Sequence, residues 1–316
     1  MSSVMPQSRI LVVGEALMDI VSREEGLDRH PGGSPANVAV GLARLGSDVS
    51  LLTGLAEDAM GLTIWRYLES QGVKLLPSSL HAARTSSATA VLQNDRAAKY
   101  HFDVEWTLPA RPLDAAFDVI HTGSIAAFLE PGAASVRRIF QQASKDGALL
   151  SFDPNIRPQL LPPHPVSVGM FEMMVENVDV VKLSDEDAEW LYPQIAIDGV
   201  IEKLLTRGPG LIIITRGAAG ANLATKANRC RMPADSVDVV DTIGAGDSYM
   251  AAVLNLVATT KRLPRDLAEL EALGSLAATA AAITVSRAGA QPPTRQDLYQ
   301  FAGVSPTVSC PPHHLR

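Results

Sequence analysis

The stretch DTIGAGDS at residues 241–248 is the feature that decides the fold. The β-branched segment SVDVV (236–240) before it predicts a short strand, and the Ala- and Leu-rich segment after it predicts a buried helix. The first amides of such a helix have no partner inside it, and with the helix dipole they form an anion site. Because Gly244 and Gly246 carry no side chain, an anion can reach the backbone of this turn.

Asp247 is unexpected in an anion site, because a carboxylate repels an anion. Its presence is explained if it takes a proton from a hydroxyl while the amides hold a phosphoryl group. The alternative is that Asp247 only caps the helix, since aspartate is favoured at helix starts.

Length, composition and net charge limit the classes of protein to which the chain can belong. With 316 residues, the chain can form one large α/β domain or two smaller ones, and 47% hydrophobic and 19% charged residues are ordinary for a soluble globular protein. A net charge of −7 without a long basic run argues against nucleic acid or an anionic membrane surface as the main partner. Two distant cysteines and an N-terminus without an apolar run predict a cytoplasmic protein with reduced thiols.

The N-terminal part alternates buried strands with residues suited to ligands. Asp19 follows the strand of RILVV, where its carboxylate could accept hydrogen bonds from sugar hydroxyls or simply be a solvated turn residue. In GGSPANVA, Gly32 and Gly33 permit close approach of a ligand, and Asn37 lies in the first turn of a helix. The alternative is a plain Gly-Gly turn into a capped helix.

The segment 84–109 changes character, because alternating β-formers flank NDRAAK and predict a hairpin. Phe102 and Trp106 could pack on a sugar or, as we favour, on the core of this hairpin. Farther along, FDPNIRP follows a predicted strand and brings Asp153 and Arg157 to the ligand edge of the sheet. Arg157 could bind oxygens in pairs or form an ion pair with Asp153.

DTIGAGDS and GGSPANVA resemble the C-terminal and N-terminal signatures of the ribokinase-like (PfkB) sugar kinases, and the resemblance extends from about residue 9 to 294. It implies a three-layer αβα fold with a central, mostly parallel, doubly wound sheet and a small β lid. We expect one kinase domain over 1–305, with lid strands from about 15–34 and 84–109. The tail 306–316 is predicted to be flexible.

The resemblance also implies roles for individual residues. Asp247 would be the catalytic base, and the amides of Gly244, Ala245 and Gly246 the anion hole. The sugar would contact Asp19, Gly32, Gly33, Asn37, Arg157 and Asp247. The nucleotide would contact Lys182, Ser184, Thr215, Gly217, Gly220 and Gly246, and a monovalent cation such as K⁺ would lie by Asp241 and Ile243.

The segment around Lys182 departs from the family pattern Lys-x-Asn-x-x-Glu. Ser184 stands in place of the asparagine, Asp187 lies three residues later, and Glu186 falls one residue before the expected spacing. We choose Glu186 as the residue that holds Mg²⁺ through water. The alternative is a capped acidic helix start in which Ser184 and Asp187 form a near capping box.

These features predict transfer of a phosphoryl group from ATP, with Mg²⁺, to a primary hydroxyl of a sugar. FDPNIR and GEALMD favour fructose and its 6-phosphate, while ribose, 2-keto-3-deoxygluconate or a nucleoside are alternatives. The family implies a homodimer formed through the lid. Two remote alternatives are a Rossmann dehydrogenase, whose third glycine is replaced here by Tyr249, and a sugar-binding protein without catalysis.

Overall fold

A mostly parallel central sheet with helices on both faces forms the body of the molecule. The computed structural model describes residues 7–23, 26–92, 98–109, 113 and 115–301. The strands are β1 (Arg9–Val13), β2 (Leu17–Arg23), β3 (Gly26–Gly32), β4 (Asp48–Leu52), β5 (Lys74–Leu75), β6 (Ser87–Leu92), β7 (Ala98–Asp103), β8 (Val119–Gly123), β9 (Leu149–Asp153), β10 (Val180–Ser184), β11 (Leu211–Thr215), β12 (Ala221–Ala224) and β13 (Arg229–Met232). The helices are α1 (Ser34–Arg44), α2 (Ala59–Ser70), α3 (Gly132–Lys145), α4 (His164–Val175), α5 (Asp185–Leu191), α6 (Ile197–Leu205), α7 (Ala245–Thr260), α8 (Leu267–Val285) and α9 (Arg295–Phe301).

The strand order of the central sheet fixes where a ligand can bind. The order is β13-β12-β11-β10-β9-β8-β1-β4-β5, and the strands from β11 to β5 are parallel. The chain leaves β1 towards β5 on one side and returns to β8 on the other. This reversal creates a crevice beyond the carboxyl ends of β1 and β8, where doubly wound sheets bind their ligands.

Two hydrophobic clusters, one on each face of the sheet, make the three layers. Alternate residues of β1 point to opposite faces, so that Ile10 joins the cluster with α1, α2, α7 and α8, and Leu11 joins the cluster with α3, α4, α5 and α6. Both side chains are fully buried. The predicted three-layer fold is confirmed.

A second, four-stranded sheet stands apart from the central one in the order β3-β2-β6-β7. Its strands come from the two segments in which we expected a lid, and β6 pairs with β7 as an antiparallel hairpin. Residues 93–97, which include most of NDRAAK, lie outside the described residues, as does the tail 306–316. Trp106 does not pack on this sheet: it is buried in the main core, and its indole N–H donates to the carbonyl oxygen of Ala126 at 3.0 Å.

The segment before DTIGAGDS is not a strand, contrary to our prediction. Residues 236–240 are irregular, and Val239 and Val240 are exposed. The amide of Val240 donates to the carbonyl oxygen of Val285 at the end of α8, rather than to a neighbouring strand. A β-branched run becomes a strand only where a partner edge is available, and here the end of a helix takes that place.

Helix α8 contains the apolar run 276–285. Among the described residues it is the one helix that meets the length and hydropathy of a membrane span. Its residues Leu270, Leu273 and Ala277 are buried in the core, and the helix packs against α7. We therefore interpret α8 as a core helix of the domain.

Candidate active site

A cavity of about 410 Å³ lies at the carboxyl ends of the central strands, between the sheet and the lid. Eleven of the predicted site residues line it: Asp19, Gly33, Asn37, Arg157, Lys182, Ser184, Thr215, Ile243, Gly244, Gly246 and Asp247. The other six are not on its wall: Gly32, Glu186, Gly217, Gly220, Asp241 and Ala245. Ala88 and Phe102 of the lid also contribute to the wall, so Phe102 faces the cavity.

Helix α7 begins at one end of this cavity with a turn that only glycine accommodates easily. Gly244 has a φ of 77°, in the left-handed region, and a Cβ there would lie 2.7 Å from the side chain of Ala290. The amide of Ala245 makes a long hydrogen bond, 3.3 Å, to the carbonyl oxygen of Thr242. The first-turn amides of α7 are thus next to the cavity, as an anion site requires.

The carboxylate of Asp247 is buried and held from two sides by helix α1. The hydroxyl of Ser34 donates to Oδ1 at 2.7 Å, and the side-chain amide of Asn37 donates to Oδ2 at 2.9 Å. The N-cap of α7 has no side-chain capping bond, so Asp247 does not cap the helix. Burial raises the pKa of Asp247, while these two hydrogen bonds lower it. The two signatures, about 210 residues apart, therefore meet at one carboxylate.

A buried ion pair lies beside the start of α7. The ammonium of Lys182 is 2.6 Å from Oδ2 of Asp153, and both side chains are almost fully buried. Burial lowers the pKa of Lys182, but the Asp153 carboxylate outweighs this and leaves it raised, so the lysine is charged. A Cβ on Gly246 would lie 3.3 Å from Nζ, which places the ammonium close to the anion turn.

Arg157 does not pair with Asp153, the alternative that the sequence left open. Its guanidinium donates to the carbonyl oxygen of Ile156 at 3.0 Å, and its side chain lines the cavity. Lys182 takes the Asp153 carboxylate instead. Arg157 is therefore available to a ligand.

The sugar-signature glycines are explained by close contacts with β2 and with the residues just before it. Gly32 pairs with Leu17 in the lid sheet, and a Cβ on it would collide with the carboxylate of Asp19. Gly33 has a φ of 103°, and a Cβ there would lie 2.6 Å from the carbonyl oxygen of Glu15. Burial raises the pKa of Asp19 to about 6, with His30 and Arg157 opposing. Asp19 is thus a partly buried wall residue and not a solvated turn residue.

Helix α5 begins with a complete capping box. In this arrangement the carboxylate on the cavity wall is that of Asp187 and not that of Glu186. The hydroxyl of Ser184 accepts from the amide of Asp187 at 2.9 Å, and the Asp187 carboxylate accepts from the amide of Ser184 at 2.9 Å. Asp187 is buried on the cavity wall, whereas Glu186 is exposed and off the wall. The spacing of three residues from Ser184 was the sequence signal for Asp187.

The remaining predicted residues shape two turns beside the cavity. Gly217 and Gly220 bound a short 3₁₀ turn after β11, and the carbonyl oxygen of Gly220 accepts from the amide of Arg216 at 2.7 Å. Asp241 joins the signature turn to a later segment, because its carboxylate accepts from the amides of Ile243 at 3.0 Å and Gly289 at 2.8 Å.

Sequence reasoning gave no ligand role to two polar residues at the cavity. Ser34, interpreted only as a helix start, bonds Asp247. Glu15, in GEALMD, is buried on the cavity wall, and its Oε2 has no hydrogen-bond partner among the described residues. Neither role has a signal in the sequence, because both depend on contacts between distant segments.

A buried carboxylate beside a helix N-terminus and a paired lysine, at the switch point of a doubly wound sheet, is an arrangement suited to phosphoryl transfer. The sequence profile of the pfkB family carbohydrate kinases matches residues 7–297, and the chain belongs to this family. The chain is a sugar kinase, which separates it from the dehydrogenases that share its strand alternation.

Individual relatives agree with this family. A fructokinase of Rhizobium leguminosarum bv. trifolii is 31% identical over 256 residues, 78% of this chain and 78% of the relative. A fructokinase of Klebsiella pneumoniae is 33% identical, covering 92% of this chain and 98% of the relative. A double mutant of the fructokinase of Vibrio cholerae, solved with fructose, ADP and potassium ion, superposes with a TM-score of 0.80 at 25% identity, covering 94% and 99% of the two chains.

Proposed function

We propose that the protein is an ATP-dependent fructokinase that phosphorylates the primary hydroxyl at C6 of fructose. The observation that carries the proposal is the position of Asp247, held by Ser34 and Asn37 at the first turn of α7. The names of the relatives and the fructose in the Vibrio cholerae complex support fructose as the substrate. The carboxylate of Asp19, which lines the same cavity, favours a neutral sugar over a sugar acid.

In this proposal Asp247 is the general base. Its carboxylate takes the proton of the sugar hydroxyl as that oxygen attacks the γ-phosphorus, and the bond between that phosphorus and the leaving ADP oxygen breaks. The amides of Gly244, Ala245 and Gly246 receive the charge that develops on the phosphoryl oxygens. Lys182, close to Gly246, adds a positive charge at the same place.

The charges of the cavity fit a nucleotide that arrives with a divalent metal. The wall carries five carboxyl groups and two basic side chains: Glu15, Asp19, Asp153, Asp187, Asp247, Arg157 and Lys182. Mg²⁺ binds through phosphates, water and one or two carboxylates rather than through a protein cage, and no cluster of three metal-ligating side chains occurs among the described residues. Bound Mg²⁺ would neutralise the phosphates. Asp187 is on the wall and is better placed than Glu186 to hold it through water.

Two further assignments belong to this proposal. A monovalent cation such as K⁺ would bind near Asp241 and Ile243, where the Asp241 carboxylate ties two backbone segments together. The lid sheet would form the dimer contact, for which the half-exposed Leu27 on β3 supplies an apolar side chain.

ADP release measured with fructose, ribose, 2-keto-3-deoxygluconate and a nucleoside tests the substrate, and we expect the highest kcat/KM with fructose. Asp247→Asn should keep fructose binding and lower kcat by about 100-fold or more. Asp179→Asn is the matched control, because Asp179 is half-buried and accepts the amide of Leu150 outside the cavity. Full activity of Asp247→Asn would remove the base assignment, and turnover of ribose but not fructose would refute the substrate.

A further inference from the structure

Glu15 is a buried polar group of the cavity that the proposed reaction does not use. It follows β1 at the switch point, and its side chain lines the cavity while the residue is only 4% exposed. Ser124, directly after β8, interacts with the Glu15 carboxyl and lowers its pKa. The carboxyl oxygen Oε2 has no hydrogen-bond partner among the described residues.

An unpaired oxygen at such a place points to a ligand. Leaving a buried polar atom unsatisfied is energetically costly, so native proteins complete such groups with water or a bound molecule. Glu15 is next to Gly33, whose Cβ would lie 2.6 Å from the Glu15 carbonyl oxygen, and it lines the same cavity as Asp19, Asn37 and Phe102. A ligand bound in this half of the cavity can therefore supply the group that completes Glu15.

The charged groups around Glu15 decide whether it donates or accepts a hydrogen bond. Burial raises the pKa of Glu15 to about 8, and the Asp247 carboxylate adds to this, while Ser124 and Arg157 oppose it. The other ionisable groups on the cavity wall are Asp19, Asp153, Lys182 and Asp187. At neutral pH the Glu15 carboxyl therefore carries a proton, and it can donate a hydrogen bond to an oxygen atom in the cavity.

We propose that Glu15 is a specificity-determining residue of the sugar site, whose carboxyl hydrogen-bonds a sugar hydroxyl other than the one that is phosphorylated. The inference rests on the proposed function, because it assigns a further contact within the same site. Glu15 would select for a sugar with a hydroxyl at one ring position, since a sugar without that hydroxyl leaves Oε2 buried and unpaired.

Two variants of Glu15 distinguish the effect of hydrogen-bond donation by the side chain from the effects of its volume and charge. Glu15→Met keeps the length but cannot donate, and we expect it to raise the fructose KM by about tenfold or more with little change in kcat. Glu15→Gln retains a donor, and its KM at pH 7 should stay within about threefold of wild type. The wild-type KM should rise above about pH 8 as Glu15 loses its proton, and this rise should be absent in Glu15→Gln. Glu172→Met, at a glutamate off the cavity wall, is the control and should leave the KM unchanged.

Deoxyfructose analogues identify the hydroxyl. One of the 1-, 3- and 4-deoxy sugars should bind the wild-type protein more weakly than fructose does. Glu15→Met should bind that deoxy sugar and fructose with equal affinity. The difference gives the coupling energy between Glu15 and the missing hydroxyl. A wild-type KM in Glu15→Met, or equal losses in all combinations, would overturn the inference. If Glu15→Met does not fold, the pH profile of Glu15→Gln decides alone.

Equilibrium binding of fructose, measured by calorimetry, keeps this test separate from that of the proposed function. No ADP release with any sugar, together with fructose binding that depends on Glu15, would refute only the kinase assignment. ADP release with fructose and binding that is independent of Glu15 would refute only the role of Glu15. Absence of fructose binding to the wild-type protein would refute both.

Discussion

Replacing Lys182 with methionine removes one member of the buried ion pair and leaves the Asp153 carboxyl in the core without a cation. Burial raises the pKa of Asp153 to about 6, and Lys182 opposes this rise. Without Lys182 the folded-state pKa of Asp153 must increase further. The unfolded-state value is 3.8, so a raised folded-state pKa lowers stability as pH increases, until the pH passes the folded-state pKa.

The magnitude follows from this linkage. In the wild type, the loss of unfolding free energy caused by ionising Asp153 levels off above about pH 6. In Lys182→Met this loss continues to grow by about 1.4 kcal/mol per pH unit. We expect a small destabilisation at pH 6 and about 3 kcal/mol more at pH 8, within the 3–5 kcal/mol range that is typical when one partner of a buried pair is lost. Urea unfolding at pH 6, 7 and 8 measures this difference.

Two controls make the result decisive. Lys74→Met breaks an ion pair with a similar N–O distance, 2.7 Å, to Asp48, but the Lys74 side chain is 67% exposed. It should cost less than about 1 kcal/mol at every pH. Lys182→Met/Asp153→Asn should recover most of the stability lost at pH 8, because no buried charge remains. The reasoning is refuted if Lys182→Met is equally destabilised at pH 6 and pH 8, or if the double variant is no more stable than the single one.

Two further predictions concern the turn before α1 and the core. Gly33→Ala places a Cβ 2.6 Å from the carbonyl oxygen of Glu15 at a φ of 103°, so fructose binding should fall at least tenfold in calorimetry. Gly147→Ala, also at positive φ but with open space around it, is the control, and equal binding in both variants would contradict the steric argument. Burial and the Lys182 charge lower the pKa of His121 to about 3, so its contribution to stability is complete above pH 6.5 and is lost as pH falls, by up to about 1.4 kcal/mol per unit. His121→Asn should weaken the pH dependence of the urea unfolding midpoint between pH 6.5 and 4. An unchanged pH dependence of the midpoint would contradict this.

The two signatures predict much of the site, because each is a local pattern with a local structural consequence. GGSPANVA gives the start of α1, and DTIGAGDS gives the turn and start of α7. The sequence could not show that Ser34 and Asn37 hold the Asp247 carboxylate, since these partners are more than 200 positions apart and meet only through packing of α1 on α7. The same limit concealed the pairing of Lys182 with Asp153.

The incorrect details have different physical causes. A strand over 236–240 was expected from composition, but β-propensity expresses fit to a neighbouring strand, and this segment runs past the end of α8 instead. The choice of Glu186 for Mg²⁺ is a different case, because it stays a prediction. Glu186 and Asp187 differ by one position, which is about 100° around a helix and separates an exposed side chain from a buried one. Trp106 follows the lid hairpin in sequence but finds a hydrogen-bond acceptor in the main core.

The link from Asp241 to Gly289 means that the reactive turn is completed by a part of the chain that the ribosome makes about fifty residues later. Val285 accepts the amides of Val240 and Asp241, and Ala290 fills the space beside Gly244. Arg295 then fastens the same segment to the end of α1 through the carbonyl oxygen of Leu45. A nascent polypeptide that stops before residue 285 would therefore contain every proposed reactive group. It would still lack the hydrogen bonds and contacts that fix the geometry of the turn.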